Sequence, residues 1–459
     1  VPLFTTLQTG ASGLRAASAA TNAASHNVAN ASTPGFHRRR VVLETAPPIQ
    51  LGGRTVGLGV TDRGHLRAGS ELVSAQRVTQ AGVTGSASAQ ARALSMAERF
   101  LGNEGTGNLS GALDGFFDAL TSATADPADL ALRRGITSAA TDVASVFSGA
   151  SSRMAEAIQG IDQESGSIVQ RVTDKLSEVA RLDEALVADT SRLASGDLLD
   201  RRDQLIYEVS ELMGVRMREA EDGSTELYLG GHLLSADGKA RQIKFESDVT
   251  TGQVRVLVEA GGGFVDVSDD VGGELGGLLG ARDTVSGYVD DLDAITVAFA
   301  DAINTQHRAG FDRDGNPGED LFVYDANDPA GTLVFAEDIV ADPDRLALAG
   351  ASPVRAGDGD NLDALSSIED DLLVGASWSV GTALSELGAR VGSDTSHSAA
   401  ISSQQDSISE DLEDLHQSLV GVDLDEEAAK LVEHQAAYQA AAKIVQVTDR
   451  LLGTLLELV

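Results

Sequence analysis

Side chains that could do chemistry are few in this chain, and the most suggestive of them sit in one acidic loop. Asp312, Asp314, Asn316 and Asp320 set oxygen atoms at even spacings, a pattern that can surround calcium. The match to an EF-hand loop is partial. Pro317 follows the third ligand where that loop needs Gly, and Val323 stands at the twelfth position, where a bidentate Glu would close the cage. An Asx turn between a helix and a strand accounts for the same residues. Gly231 to Lys239 has the outline of a phosphate-binding loop, but six residues separate its glycines and Ala240 replaces the hydroxyl that would hold magnesium. An Asp-Gly hairpin turn is expected there instead.

Other chemistry is excluded more simply. The eight histidines show no His-x-x-x-His spacing, no Gly-x-Ser-x-Gly elbow occurs, and the absence of cysteine removes thiolate metal sites, cysteine nucleophiles and disulfides together. With 70 carboxylates, acid/base pairs are expected by chance. No catalytic, cofactor-binding or metal-binding residue is assigned, and no enzyme activity is expected.

The elements are mostly helical. Of the 459 residues 42% are apolar but only 4% aromatic, and cores of Ala, Leu and Val suit slender bundles better than deep ligand pockets. The formal charge of −36 repels phosphate backbones, so nucleic acid is not an expected partner. Arg38, Arg39 and Arg40 form the dense basic run, read as a strand edge or an ion-paired interface. Residues 1–30 are rich in Ala, Ser, Thr and Asn without a basic start and an apolar core, so no Sec-type signal is expected. No run of about twenty apolar residues offers a membrane span.

The two ends carry matching stripes. Leu3, Leu7, Gly10, Leu14, Ala17, Thr21, Ala24 and Val28 alternate steps of four and three, as do Leu424, Ala428, Leu431, Gln435, Tyr438, Ala442 and Val445, continuing to Leu452, Leu456 and Val459. The fold expected is mainly α with inserted β: an elongated multi-domain rod with a coiled-coil-like terminal domain. That domain comprises 1–35 and 424–459. A helical bundle built from both halves takes 36–214, 272–310 and 376–423, with an extended arm at 36–69. Period-two segments place an inserted β domain at 215–271, and an irregular β-containing insertion covers 311–375. Asp126 and Pro127 are expected to open a helix ending near Phe147, with a second, longer helix behind it.

Ser12-Gly13-Leu14-Arg15-Ala16, followed by Ser25-His26-Asn27-Val28-Ala29-Asn30-Ala31-Ser32-Thr33-Pro34-Gly35-Phe36, closely resembles the start of flagellar axial proteins. Three further stretches narrow the resemblance to the hook-associated protein 1 family. These are Asp197-Leu198-Leu199-Asp200-Arg201-Arg202-Asp203, the segment Asn304 to Gly310 with its following turn, and Val422 to Lys443 with Gln435, Tyr438 and Gln439. Phe36-His37-Arg38-Arg39 departs from the commoner Tyr-Ser-Arg-Gln, and His26 stands where a second Asn is usual.

The resemblance implies a secreted, extracellular structural subunit of the bacterial flagellum, exported by the type III route and built into a ring between hook and filament. It implies hook protein, the second hook-filament junction protein, copies of itself and an export chaperone as partners. Leu14, Asn27, Asn30, Leu431, Gln435, Tyr438 and Leu452 are the expected assembly contacts; packing within one subunit's terminal hairpin is the alternative for each. Another axial subunit, a hook or rod protein, is the nearest rival reading. A calcium-binding adhesin or cell-wall hydrolase using residues 312–320 is the rival from a different class.

Overall fold

The computed structural model describes residues 2–51, 54–101, 107–188, 195–220, 224–248, 253–355 and 357–457. The first helix, α1 (Pro2–Asn30), stops where the sequence says it must. Pro34 cannot continue the ladder, and Gly35 turns the chain with φ +74°. Four short strands follow, β1 (Arg39–Thr45), β2 (Ile49–Leu51), β3 (Arg54–Val56) and β4 (Val60–Arg67). β1 pairs antiparallel with β4 and β2 with β3, forming a two-stranded arm that packs along α1.

Three helices come next, α2 (Glu71–Leu101), α3 (Gly107–Ala123) and α4 (Leu130–Ala188). The helix expected to end near Phe147 does not end there; it runs on as one 59-residue helix. Glycines 149 and 160 lie inside it at a cost of roughly 1 kcal/mol each. An uninterrupted buried stripe of Ile136, Val143, Phe147, Met154, Ile161 and Ile168 outweighs that cost. Its start lies later too, because Asp129 rather than Asp126 accepts the Ala131 N–H in the first turn (2.6 Å).

Helix α5 (Ser195–Met213) leads into β5 (Arg216–Glu219), β6 (Thr225–Leu229), β7 (His232–Ala236) and β8 (Lys239–Ala240), a four-stranded sheet in that order. Asp237 and Gly238 both take positive φ, 50° and 69°, between β7 and β8. That is the two-residue turn a twisted hairpin requires, and it accounts for the phosphate-loop outline. β9 (Ile243–Asp248), β10 (Gln253–Ala260) and β11 (Gly263–Asp266) make a second sheet in the order β11-β10-β9. Helix α6 (Gly273–Ala309) returns along the bundle, and β12 (Phe322–Val323), β13 (Val334–Phe335), α7 (Glu337–Ala341) and α8 (Asp360–Ser367) form the irregular insertion. Two long helices, α9 (Val380–Val420) and α10 (Leu424–Glu457), end the chain.

The scarce aromatics are concentrated where this insertion meets the bundle. Phe116, Phe299 and Phe322 form edge-on and tilted ring contacts at 5.0–5.9 Å, extended by Phe117, Phe147 and Phe335. Asn304 holds the crossing strand: its Oδ1 accepts from the N–H groups of Leu321 (2.7 Å) and Phe322 (2.9 Å), and its Nδ2 donates to the Phe322 carbonyl (2.7 Å). One turn on, fully buried His307 accepts at Nε2 from the Ala347 N–H (2.8 Å), while Nδ1 donates to the Glu319 carbonyl (2.5 Å). The Asn-x-x-His segment is thus a two-residue clamp on a neighbouring loop.

Burial pushes His307 down to about 4 from the ordinary 6.5, and His416 is likewise held near 4 by burial and by Arg77. Both imidazoles are neutral in the folded chain and charge on unfolding, so protons bind preferentially to the unfolded state between those two values. The contribution of these two imidazoles is therefore constant above pH 6.5 and is lost as pH drops toward 4, by on the order of 3 kcal/mol for each group. Thermal unfolding across that range checks this, and His307→Gln should remove about half of the imidazole contribution.

Candidate assembly interface

The terminal helices pair antiparallel. A Cβ added at Gly10 would lie 3.0 Å from Val445 and 3.2 Å from Ile444, one at Gly13 would lie 3.5 Å from Ala441, and Asn27 reaches Glu427. Small residues on α1 (Gly10, Ala17, Ala20, Ala24) let the two backbones come close, which an Ala-rich seam permits and bulky residues would not. On α10 the covered face runs through Glu427, Leu431, His434, Ala441, Ala442, Val445, Thr448 and Leu452. It shares Leu431, Ala442, Val445 and Leu452 with the stripe read from the sequence and adds Glu427, Ala441 and Thr448, while Ala428 is exposed. The side chains of Leu456 and Val459 lie outside the described residues.

A second seam on α10 is largely open, with Ile444 at its edge touching Gly10 of α1. Ala437, Ala440, Ile444, Val447, Leu451 and Leu455 recur at steps of three or four, and Ala440, Ile444, Val447 and Leu451 each stand one residue before a covered position, about 100° around the helix. Ile444, Val447, Leu451 and Leu455 are 45–50% exposed. Helix α9 shows a comparable row in Ile401, Ile408, Leu415 and Leu419, and Phe4 on α1 is 66% exposed. A helix with two adjacent apolar seams is built for more than one partner helix.

A polar joint locks the terminal pair to the bundle. The buried Asn27 amide clasps the strand start, accepting from the Arg39 N–H and donating to the Arg39 carbonyl (both 2.9 Å), and also donates to Glu427 (2.9 Å). Glu427, 2% exposed, accepts from Arg38 Nε at 2.8 Å, and the Arg38 N–H donates to the Val420 carbonyl. From the other side, Asp200 on α5 meets His37 (2.9 Å), Arg39 (3.1 Å) and Arg67 (2.7 Å), while Asp203 takes the far end of Arg67 (2.7 Å). Burial alone would raise the Asp200 carboxyl, but His37 and Arg67 outweigh it and hold it below its ordinary value. His416 of α9 stands edge-on to His37 at 5.2 Å. Two members of the basic run are thus ion-paired inside one chain, while Arg40 is exposed.

The residues singled out from sequence fall into three groups. Leu14, Leu431 and Leu452 are half-buried; Gln435 and Tyr438 are exposed. Asn27 is committed to the joint, whereas Asn30 bonds back to the His26 carbonyl (3.0 Å) and accepts from Thr33, closing its own helix end. Glu427, Asp200, His37 and the second α10 seam were not singled out. The seam had a signal, a heptad row one residue out of phase; the joint showed only its pieces, the basic run and the segment around Asp200, and not their pairing, because the partners lie far apart in sequence. In the acidic loop, Asp312 is occupied by the Asp314 and Asn316 N–H groups (2.9 and 2.8 Å) and the Asn316 amide (2.9 Å), and Asp320 pairs with Arg308. No group of three potential metal ligands occurs among the described residues.

Comparison with known proteins agrees with this arrangement. A family model for the helical domain of flagellar hook-associated protein FlgK matches residues 94–322. Models for the C-terminal segment of basal body rod FlgEFG proteins and for basal body rod proteins match 417–458 and 7–37. The chain is 24% identical to flagellar hook-associated protein 1 of Salmonella typhimurium over 97% of this chain and 98% of that one. It is also 24% identical to that of Bacillus subtilis, over 98% and 97%. The fold is similar to the flagellar hook junction protein FlgK of Burkholderia pseudomallei, with a TM-score of 0.65 at 15% identity over 76% of this chain and all of that one. Terminal helices paired across the whole length of the chain, matched at both ends by rod-protein models, make this a flagellar axial protein. Within that class it belongs to the flagellar hook-associated protein 1 (FlgK) family.

Proposed function

We propose that the chain is a structural subunit of the hook-filament junction, joining hook to filament. The observation that carries this reading is the open second seam on α10: each of its half-exposed aliphatic side chains gains on the order of 1 kcal/mol when a neighbouring helix covers it. In this reading residues 1–35 and 424–459 form the inner layer, with Leu14, Asn27, Asn30, Leu431, Gln435, Tyr438 and Leu452 at or behind its contacts. The bundle of 36–214, 272–310 and 376–423 forms the next shell, and the insertions 215–271 and 311–375 face outward. Hook protein lies on one side, the second junction protein on the other and copies of the chain around the ring. An export chaperone delivers the subunit to the extracellular structure.

The rival readings have less support. The helical-domain match favours the hook-associated family over hook or rod subunits, and the acidic loop spends its oxygens on its own turn, which disfavours a calcium-binding adhesin or hydrolase. No described helix is long and apolar enough to cross a membrane. In cells lacking their own hook-associated protein 1, this chain should restore swimming and place antibody label in a single band between hook and filament. Label spread along the hook, the filament or the cell surface would contradict the proposal.

A further inference from the structure

We infer that the arm of one copy docks on the α9 face of the next, its basic and apolar surface meeting an acidic and apolar one. The inference rests on the ring assembly proposed above and names one of its contacts. In a chain of net charge −36, residues 36–69 carry six arginines and two carboxylates; Arg38, Arg39 and Arg67 are spent on the joint and Arg63 on Glu44, and exposed Arg40 stands outside these pairs. On α9, Asp406, Glu410, Asp411 and Asp414 are exposed, while Glu413 is paired with Arg77. Arg40 on one copy and these open carboxylates on the next attract although the molecules as wholes repel.

Both surfaces are also apolar where they are exposed. Leu43 and Leu66 on the arm are 44% and 51% exposed, and exposed Arg40 lies directly opposite Leu66 in the β1–β4 register. A two-stranded ribbon is marginal by itself, so an uncovered apolar face on one calls for a partner. On α9, Ile401, Ile408, Leu415 and Leu419 are 37–46% exposed and recur at seven and four residues along one side of the helix. Asp411 lies three residues after Ile408 and four before Leu415, on the same side. Ile401, the first of the row, also lines with Val83 a groove of about 410 Å³ between α2 and α9. Arg40 and Leu66 on one copy thus match Asp411 and Ile408 on the other in charge and in apolarity.

The absence of cysteine makes the contact directly measurable. Flagella from cells whose only copy carries Leu66→Cys and Ile408→Cys are oxidised and the subunits separated by size under denaturing, non-reducing conditions. A ladder of covalent multimers is expected, and none from the control pair Phe264→Cys with Ile408→Cys, since Phe264 is exposed on β11 far along the sequence from the arm. If the junction forms and the cells swim but only monomer is recovered, or a bridge within one chain, the docking is wrong while the junction reading stands. If even the unsubstituted chain fails to enter flagella, both fall. A charge exchange gives an independent readout: Arg40→Glu should cut the fraction of swimming cells by roughly threefold, and adding Asp411→Arg should restore it. Failure of the second change to restore swimming overturns the pairing.

Discussion

Cells whose only copy of this chain ends before Asp425 should export a folded body and yet remain non-motile, their hooks bare of filament. The loss has two physical parts. Helix α1 is Ala-, Ser- and Thr-rich, and isolated helices of such composition are marginal in water, so without α10 it loses the partner against which Gly10, Ala17 and Ala24 are packed. The open seam of Ile444, Val447, Leu451 and Leu455 disappears with it, removing the apolar surface offered to neighbours. The bundle should be nearly indifferent, because its aromatic cluster and the α4 stripe lie elsewhere. Circular dichroism and thermal unfolding of the purified fragment check the folded body; electron microscopy of the cells checks the bare hooks. A truncated chain that supported normal filaments would remove the terminal pair from the mechanism.

Asp200→Ala is the second large effect. It leaves His37, Arg39 and Arg67 facing one another with their shared carboxylate gone, and truncating one partner of such a buried cluster costs about 3–5 kcal/mol. Asp200→Asn keeps an acceptor but not the charge and should cost about half as much. Because the network ties the arm and α5 to the base of α1 and α10, the damage should be local. Hydrogen exchange should quicken at the base of the arm, at residues 37–41 and 64–67, while the amides of α4 stay protected. Uniform loss of protection would mean that the joint is part of the global core and not a joint.

Why some of this was legible in the sequence and some was not follows from the range of the forces involved. The end of α1, the extended arm and the hairpin at Asp237-Gly238 are set by Pro34, Gly35 and an Asp-Gly pair within a few residues of the feature, and local chemistry suffices. The phase of α10 is different. Alanines at 428, 429, 436, 437, 440, 441 and 442 make every frame of that helix look apolar, so the covered face is chosen by Glu427 meeting Asn27 and by Gly10 admitting Val445, partners 400 or more residues away. The continuity of α4 was hidden for a related reason: glycines at 149 and 160 look like breakers until the buried stripe on either side is counted. The Asp-x-Arg-Asp segment was visible as a motif, but not its task. Asp200 works on residues 37, 39 and 67, and Arg202 on buried Asp183 (3.2 Å), and no spacing within the segment announces either.

In the proposed ring a neighbouring subunit covers the second seam of α10, which contributes little within one chain. Val447→Glu with Leu451→Glu tests it most directly, since both side chains are about half exposed, at 45% and 49%. The purified variant should sediment as the unsubstituted chain does and unfold within about 0.5 kcal/mol of it, as surface changes do. Expressed as the only copy, it should leave hooks without filaments. A variant that folds equally well and still builds swimming cells would show that the open seam is ordinary surface and that the subunits are joined elsewhere.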